Sequence, residues 1–225
     1  MTTDSPRIGV LGGTFDPVHH GHLDAADAAR KALALTEVML MPSRVPPHKG
    51  APARASGYHR FAMAALASAG RDGLRVSDLE LRSSEPSYTS LTLQRLAQAG
   101  YAPSQLFFVV GSDAFADIVQ WHDYPALLRR SHFAVVARPG QPLARLRRGM
   151  PSLADRMREP RGLTRAGEPT AIWLVEAETR NISSSRIRHR LAASESTGDL
   201  LPEMVAAYIV RHGLYGTTTP GELLA

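Results

Sequence analysis

Residues Gly9–Ala26 read GVLGGTFDPVHHGHLDAA, and this stretch decides the fold. An apolar, β-branched run, Ile8–Leu11, stops at Gly12 and Gly13. Thr14, Phe15, Asp16 and Pro17 follow, then His19, His20 and His22, three of the nine histidines in the chain. From His22 the sequence HLDAADAARKALAL reads as a helix, so the order is strand, glycine turn, helix. The glycines allow a tight turn and let a ligand approach the backbone. The spacing fits neither a P-loop nor a GxGxxG turn. His19 and His22 stand three apart, which puts them on one face of a helix's opening turn. Free N–H groups and the helix dipole attract anions there, and two imidazole donors would clamp a phosphate. Surface histidines at a capped helix start are the plainer alternative. A zinc site is disfavoured, because the chain has no Cys and no evident acidic third ligand beyond Asp16.

Outward from this stretch, strands and helices alternate. Strands are predicted at Arg7–Gly12, Glu37–Met41, Leu74–Leu81, Leu106–Val110, Phe133–Ala137 and Ala171–Val175. Helices are predicted at His22–Leu35, Tyr58–Ala69, Leu91–Ala99, Tyr124–Arg130, Ser184–Ala193 and Glu203–His212, with a proline-rich loop over Ser43–Gly57. That alternation implies crossover units and a parallel sheet covered on both faces, an α/β fold. The length of 225 residues suits one domain, 1–225.

Hydrophobic residues make up 44% and charged residues 21%, as in globular proteins with a full core. The absence of Cys excludes disulfides and thiolate chemistry. The N-terminal MTTDSPR lacks the apolar core of a signal peptide. No apolar run approaches the ~20 residues that span a bilayer. A soluble, cytoplasmic protein is expected, without a membrane partner.

The net charge of +5 is local. Arg138–Arg165 holds eight Arg against Asp155 and Glu159, or 8 − 2 = +6, which leaves 5 − 6 = −1 for the remainder. This Pro- and Gly-containing stretch reads as a mobile or weakly helical basic insertion over 141–169, and 216–225 as a C-terminal tail. A nucleic-acid-binding face is the disfavoured alternative. Arg outnumbers Lys by 24 to 2, so Lys31 and Lys49 stand out.

The polar clusters fall at the carboxyl ends of the predicted strands, where open parallel sheets bind ligands. PSRVPPHK follows the second strand and sets His48 and Lys49 in a proline-braced loop. GSD, Gly111–Asp113, follows LFFVV, with WHDY (Trp121–Tyr124) beyond it. ARPG follows the next strand, and NISSSRIR the last. Ser183, Ser184 and Ser185 at a helix start, with Arg188 one turn in, make a second anion site. Together with the histidines this suggests a polyphosphate held between two helix ends. Trp121 could stack on a flat ligand or pack in the core. Pro86–Thr89 could cap a helix or offer backbone N–H groups to a carboxylate.

GGTFDPVHHGH and ISSSRIR resemble the paired signatures of the nucleotidyltransferases with an HxGH motif. VPPHK, PSYT, GSD, WHDY and RPG narrow the resemblance to the bacterial nicotinate-nucleotide adenylyltransferases, over about Arg7–Tyr215. The resemblance implies a Rossmann-like, doubly wound sheet. It implies a reaction of ATP, with Mg2+ bound to it, and nicotinate mononucleotide that yields deamido-NAD and pyrophosphate. Carried onto this sequence, it makes His19, His22, Lys49 and Arg188 the catalytic candidates. Gly12, Gly13, Thr14, Phe15, Gly111, Asp113, Arg138, Ser183, Ser184 and Ser185 become the ATP-side candidates. Ser43, Pro47, His48, Tyr88, Thr89, Trp121 and His122 become the acceptor-side candidates. Ser185 stands where the family usually has Thr, so the hydroxyl survives; the basic insertion after RPG is unusual. Alternatives are a sister enzyme taking nicotinamide mononucleotide or pantetheine phosphate, and a non-catalytic nucleotide sensor. A homo-oligomer is left open.

Overall fold

The computed structural model describes residues 5–45, 52–140, 142–160 and 168–218. Seven strands are named in chain order: β1 (Ile8–Gly13), β2 (Glu37–Pro42), β3 (Leu74–Val76), β4 (Leu106–Gly111), β5 (His132–Val136), β6 (Met157–Arg158) and β7 (Ile172–Val175). The helices are α1 (His20–Ala32), α2 (Gly57–Ser68), α3 (Thr89–Gln98), α4 (Ser112–Phe115), α5 (Leu143–Gly149), α6 (Ser184–Ala192) and α7 (Glu203–Arg211). The strands form one sheet in the order β3-β2-β1-β4-β5-β7-β6, every pair parallel. The direction of winding reverses between β1 and β4, which opens a crevice beyond their carboxyl ends.

Alternate residues of each strand feed two cores. Leu11, Val38, Leu40, Phe107, Val109, Ala134 and Val136 face one layer, with α1, α2, α6 and α7. Ile8, Val10, Met39, Met41, Phe108, Val110, Phe133 and Val135 face the other, with α3, α4 and α5. Burial on both faces explains why β4 and β5 read as unbroken apolar runs. The expected doubly wound, Rossmann-like α/β sheet is the observed fold.

Several boundaries differ. The strand expected over Leu74–Leu81 ends at Val76. The chain then turns, with Arg82 N donating to Asp78 O at 3.0 Å, and Glu80 goes inward to accept from Thr92 Oγ1 at 2.6 Å. The helix expected at Tyr124–Arg130 is a 3-10 turn, Ala126–Arg129. Within the stretch read as a basic insertion, the chain forms α5, a 3-10 turn (Pro151–Arg156) and β6, which pairs with β7 as the sheet's edge. Leu143, Leu146, Leu153 and Met157 are buried there, an apolar spacing that the surrounding arginines obscure. Residues 141 and 161–167 of that stretch, and 219–225 of the tail, lie outside the described residues.

Candidate active site

The site grows from the end of β1. Ser43 N donates to Gly13 O at 2.9 Å and so fastens the end of β1 to the end of β2. Arg60, on the buried face of α2, reaches up beneath this junction. Its Nη1 donates to Thr14 O at 2.8 Å and Ser43 O at 2.6 Å, and its Nε to Ala55 O at 3.2 Å. Phe15 is 1% exposed and lies edge-on to the His22 ring, centroids 5.0 Å apart. Its ring therefore supports His22 from within the core.

His19 is the N-cap of α1, which starts at His20, two residues before the expected position. His19 N donates to His22 Nδ1 at 3.2 Å, and the two imidazoles stack with centroids 3.7 Å apart. His22 lines a narrow cleft with Leu11, Gly21, Ala25, Gly111, Ala137 and Arg138, whereas His19 lies buried behind it. His19 Nδ1 is buried and has no hydrogen-bond partner among the described residues. Burial, with the charge of Arg138, lowers the His19 pKa to about 4. His19 is thus neutral at pH 7: it can donate an N–H but carries no positive charge. Gly21 makes the stack fit. A Cβ there would stand 3.1 Å from Arg180 O and 3.2 Å from His19 Nδ1.

The start of α6 closes on the same loop. Ser183 caps the helix by accepting from Arg186 N at 3.3 Å, and Ser184 Oγ donates to Pro17 O at 2.9 Å. Arg188 Nη1 donates to Asp16 O at 2.7 Å, and Nη2 to Ser185 Oγ at 3.1 Å. Before the helix, the Arg180 side chain grips both carboxylate oxygens of Asp24 on α1, at 2.8 and 2.6 Å. Two helix N-termini are therefore held together. Asp16, 4% exposed, is spoken for inside this junction: Arg54 N, Ala55 N and Tyr215 Oη all donate to its carboxylate. Among the described residues no group of three or more His, Asp or Glu is placed to hold a metal.

At β4 the backbone is bared. A Cβ on Gly111 would lie 2.5 Å from Asp113 Oδ1 and 2.9 Å from Arg138 Nε, so any side chain there would push these two charged groups aside. Asp113 and Arg138 face each other there at 3.5 Å. A few residues away, the loop after β2 is stitched to the loop before α3. Arg44 N donates to Ser87 Oγ at 2.9 Å, and Ser87 N to Val45 O at 3.1 Å. Tyr88 caps α3, Thr89 is its first residue, and the Tyr88 ring stacks on His122 at 4.3 Å. Ser90 Oγ fixes His122 Nδ1 at 2.8 Å. Trp121 stands edge-on to Phe108, partly buried in the second core. Pro47, His48 and Lys49 lie outside the described residues.

Comparison with known proteins decides the family. The Cytidylyltransferase-like family profile matches residues 10–190. A protein of Desulfatibacillum aliphaticivorans, named "Probable nicotinate-nucleotide adenylyltransferase", is 39% identical over 93% of this chain and 99% of its own. One of the same name from Pseudomonas syringae pv. tomato is 40% identical over 96% of each chain.

The chain belongs to the nicotinate-nucleotide adenylyltransferase family.

It is an enzyme of the nucleotidyltransferase class. The fold is shared with the Plasmodium falciparum nicotinic acid mononucleotide adenylyltransferase complexed with NaAD, at a TM-score of 0.68 and 19% identity over 95% of this chain and 98% of that one. No described helix is long and apolar enough to cross a membrane.

Buried Asp16 and Arg60 and part-buried Tyr215 join these loops without having been among the candidates read from the sequence. Arg60 carried a signal. It shares the helical stripe of Met63, Ala64 and Ala67, where a charge has no place unless it has buried partners. Asp16 and Tyr215 stand 199 residues apart and gave none.

Proposed function

We propose that the enzyme transfers the adenylyl group of ATP to nicotinate mononucleotide, giving deamido-NAD and pyrophosphate. A phosphate oxygen of the acceptor attacks the α-phosphorus of ATP, and the bond from that phosphorus to the leaving pyrophosphate breaks. The nucleophile is already an oxyanion, so no Ser, Cys or strong base is required. What the step needs is in-line positioning and cancellation of developing charge. His22, facing the crevice, donates an N–H to the phosphates, and His19 braces it from behind as a neutral imidazole. Arg188 supplies positive charge from the second helix start, with Ser183, Ser184 and Ser185 beside it. Lys49, which follows β2 in the sequence, adds a second cationic donor for the phosphates. Bound to ATP, magnesium would supply further neutralisation of phosphate charge, and the cationic donors here suit a metal carried on the phosphates rather than held by the protein. Gly111, Asp113 and Arg138 hold the nucleotide where the backbone is bared. Thr89, Trp121 and His122 hold the nicotinate ring and its carboxylate, with Tyr88 packed on His122.

The observation that carries this reading is the stacked His19–His22 pair at the start of α1, beside the Arg188-bearing start of α6. The test is pyrophosphate release from magnesium ATP with nicotinate and nicotinamide mononucleotides run in parallel. A site built around the ring carboxylate rejects the amide by a large factor. Fast release with the acid and slow release with the amide is expected; equal rates, or release with neither, would overturn the reading.

A further inference from the structure

We propose that Tyr215 is a positioning residue that keeps Arg188 available to phosphate by occupying the carboxylate of Asp16. The inference rests on the proposed role of Arg188. Tyr215 Oη donates to Asp16 Oδ1 at 2.8 Å, an oxygen that also accepts from Ala55 N at 3.0 Å. Oδ2 accepts from Arg54 N at 2.8 Å. Three neutral donors thus satisfy a carboxylate that is 4% exposed. The Arg188 guanidinium stands 3.9 Å from Oδ2, at the outer limit of an ion pair, and bonds instead to the Asp16 backbone carbonyl at 2.7 Å. That arrangement orients the guanidinium without neutralising it. A buried carboxylate short of a donor takes the nearest one. Without the Tyr215 hydroxyl, that donor is Arg188, and a closed Arg188–Asp16 pair would turn its charge away from the phosphates.

The backbone supports a built feature. Tyr215 has φ 60°, a left-handed conformation that a bulky residue adopts only when its surroundings impose it, and it lies between Gly213 at 57° and Gly216 at 84°. This turn aims a side chain from the end of α7 back at the loop after β1. Burial, with the charge of Asp16, pushes the phenol pKa up, so the hydroxyl remains a donor at working pH. The same carboxylate pins residues 54 and 55, just downstream of the segment that carries Lys49.

The test is a double-mutant cycle on kcat/KM for ATP, with Tyr215→Phe crossed against Arg188→Ala. Phe keeps the ring that packs on the core. Tyr215→Phe alone is expected to lower kcat/KM about tenfold. In the Arg188→Ala background it is expected to change kcat/KM less than about twofold, because no charge remains to be captured. Thermal melts are recorded for all four proteins. An equal kinetic loss in both backgrounds would mean a structural role and overturn the proposal. Normal turnover in Arg188→Ala alone would remove the proposed function of Arg188 itself, and the positioning role with it. Tyr215→Phe crossed with Asp16→Asn repeats the cycle from the carboxylate side: with no negative charge to capture Arg188, Tyr215→Phe is expected to change kcat/KM less than about twofold, and an undiminished loss there contradicts the proposal.

Discussion

His19 and His132 share one electrostatic signature at opposite edges of the sheet. Each has a pKa lowered to about 4, first by burial and then by a nearby arginine, Arg138 for His19 and Arg7 for His132. His132 opens β5 at the amino edge. Its Nδ1 accepts from Ala171 N at 2.9 Å and from Trp173 Nε1 at 3.2 Å, and its ring stacks on Phe107. It is a strand residue whose polar atom joins two strands. His19 stands at the carboxyl edge, caps a helix and stacks on a second histidine. Each ring keeps one buried nitrogen without a hydrogen-bond partner among the described residues, Nδ1 of His19 and Nε2 of His132. A perturbed pKa therefore does not identify a site by itself. Cavity size misleads in the same direction. A cavity of about 590 Å³, lined by Ser104, Arg129, Arg156, Arg158 and Thr170, opens at the amino edge where β4, β5, β6 and β7 begin. The carboxyl edge has a narrower cleft, but five strand ends and two helix starts deliver their polar groups there.

The largest effect is expected at Gly21. Gly21→Val drives side-chain atoms into Arg180 O and the His19 ring, whose contacts with a Cβ are already 3.1 and 3.2 Å. A displacement of about 1 Å at reacting groups costs ~10²-fold in rate. Steady-state kinetics of this variant are expected to show that loss, with most of the fold kept; wild-type kcat would mean the stack does not need its geometry.

Acid has a smaller effect, felt by both histidines. Both histidines refuse protons that the unfolded chain accepts near pH 6.5, so the folded state holds fewer protons between pH 6.5 and about 4. Their contribution to stability is complete above pH 6.5 and is lost as pH falls towards 4. Denaturant titrations across that window are expected to show stability falling, with the two groups adding at most ~2.7 kcal/mol per pH unit. His19→Asn should remove about half of that slope; an unchanged slope would mean His19 is not a buried neutral base.

Much of this was legible locally. The β1 run, its glycines and the histidine spacing lie within a single short segment, and periodicity ties them to a strand and a helix. The clusters at Gly111, Arg138 and Ser183 could be placed on one edge because parallel topology forces all strand ends to one side. What stayed hidden depends on contacts between distant segments. Arg60 meets Thr14 across 46 positions, and Tyr215 meets Asp16 across 199. The α5–β6 region reads as a mobile or weakly helical insertion because its arginines outweigh four buried apolar residues. β3 reads too long because Leu79 and Leu81 resume an apolar alternation, one position out of phase, after the chain has turned away.

The central claim is that chemistry belongs to the carboxyl edge, and one paired measurement tests it most directly: kcat and melting temperature for His22→Ala beside His132→Phe. Loss of one preorganised donor typically costs ~10²–10³ in kcat. The account predicts that loss for His22→Ala with little change in melting temperature. For His132→Phe it predicts near-wild-type kcat and a lowered melting temperature, because Ala171 N and Trp173 Nε1 lose their acceptor. Near-wild-type turnover in His22→Ala would contradict it.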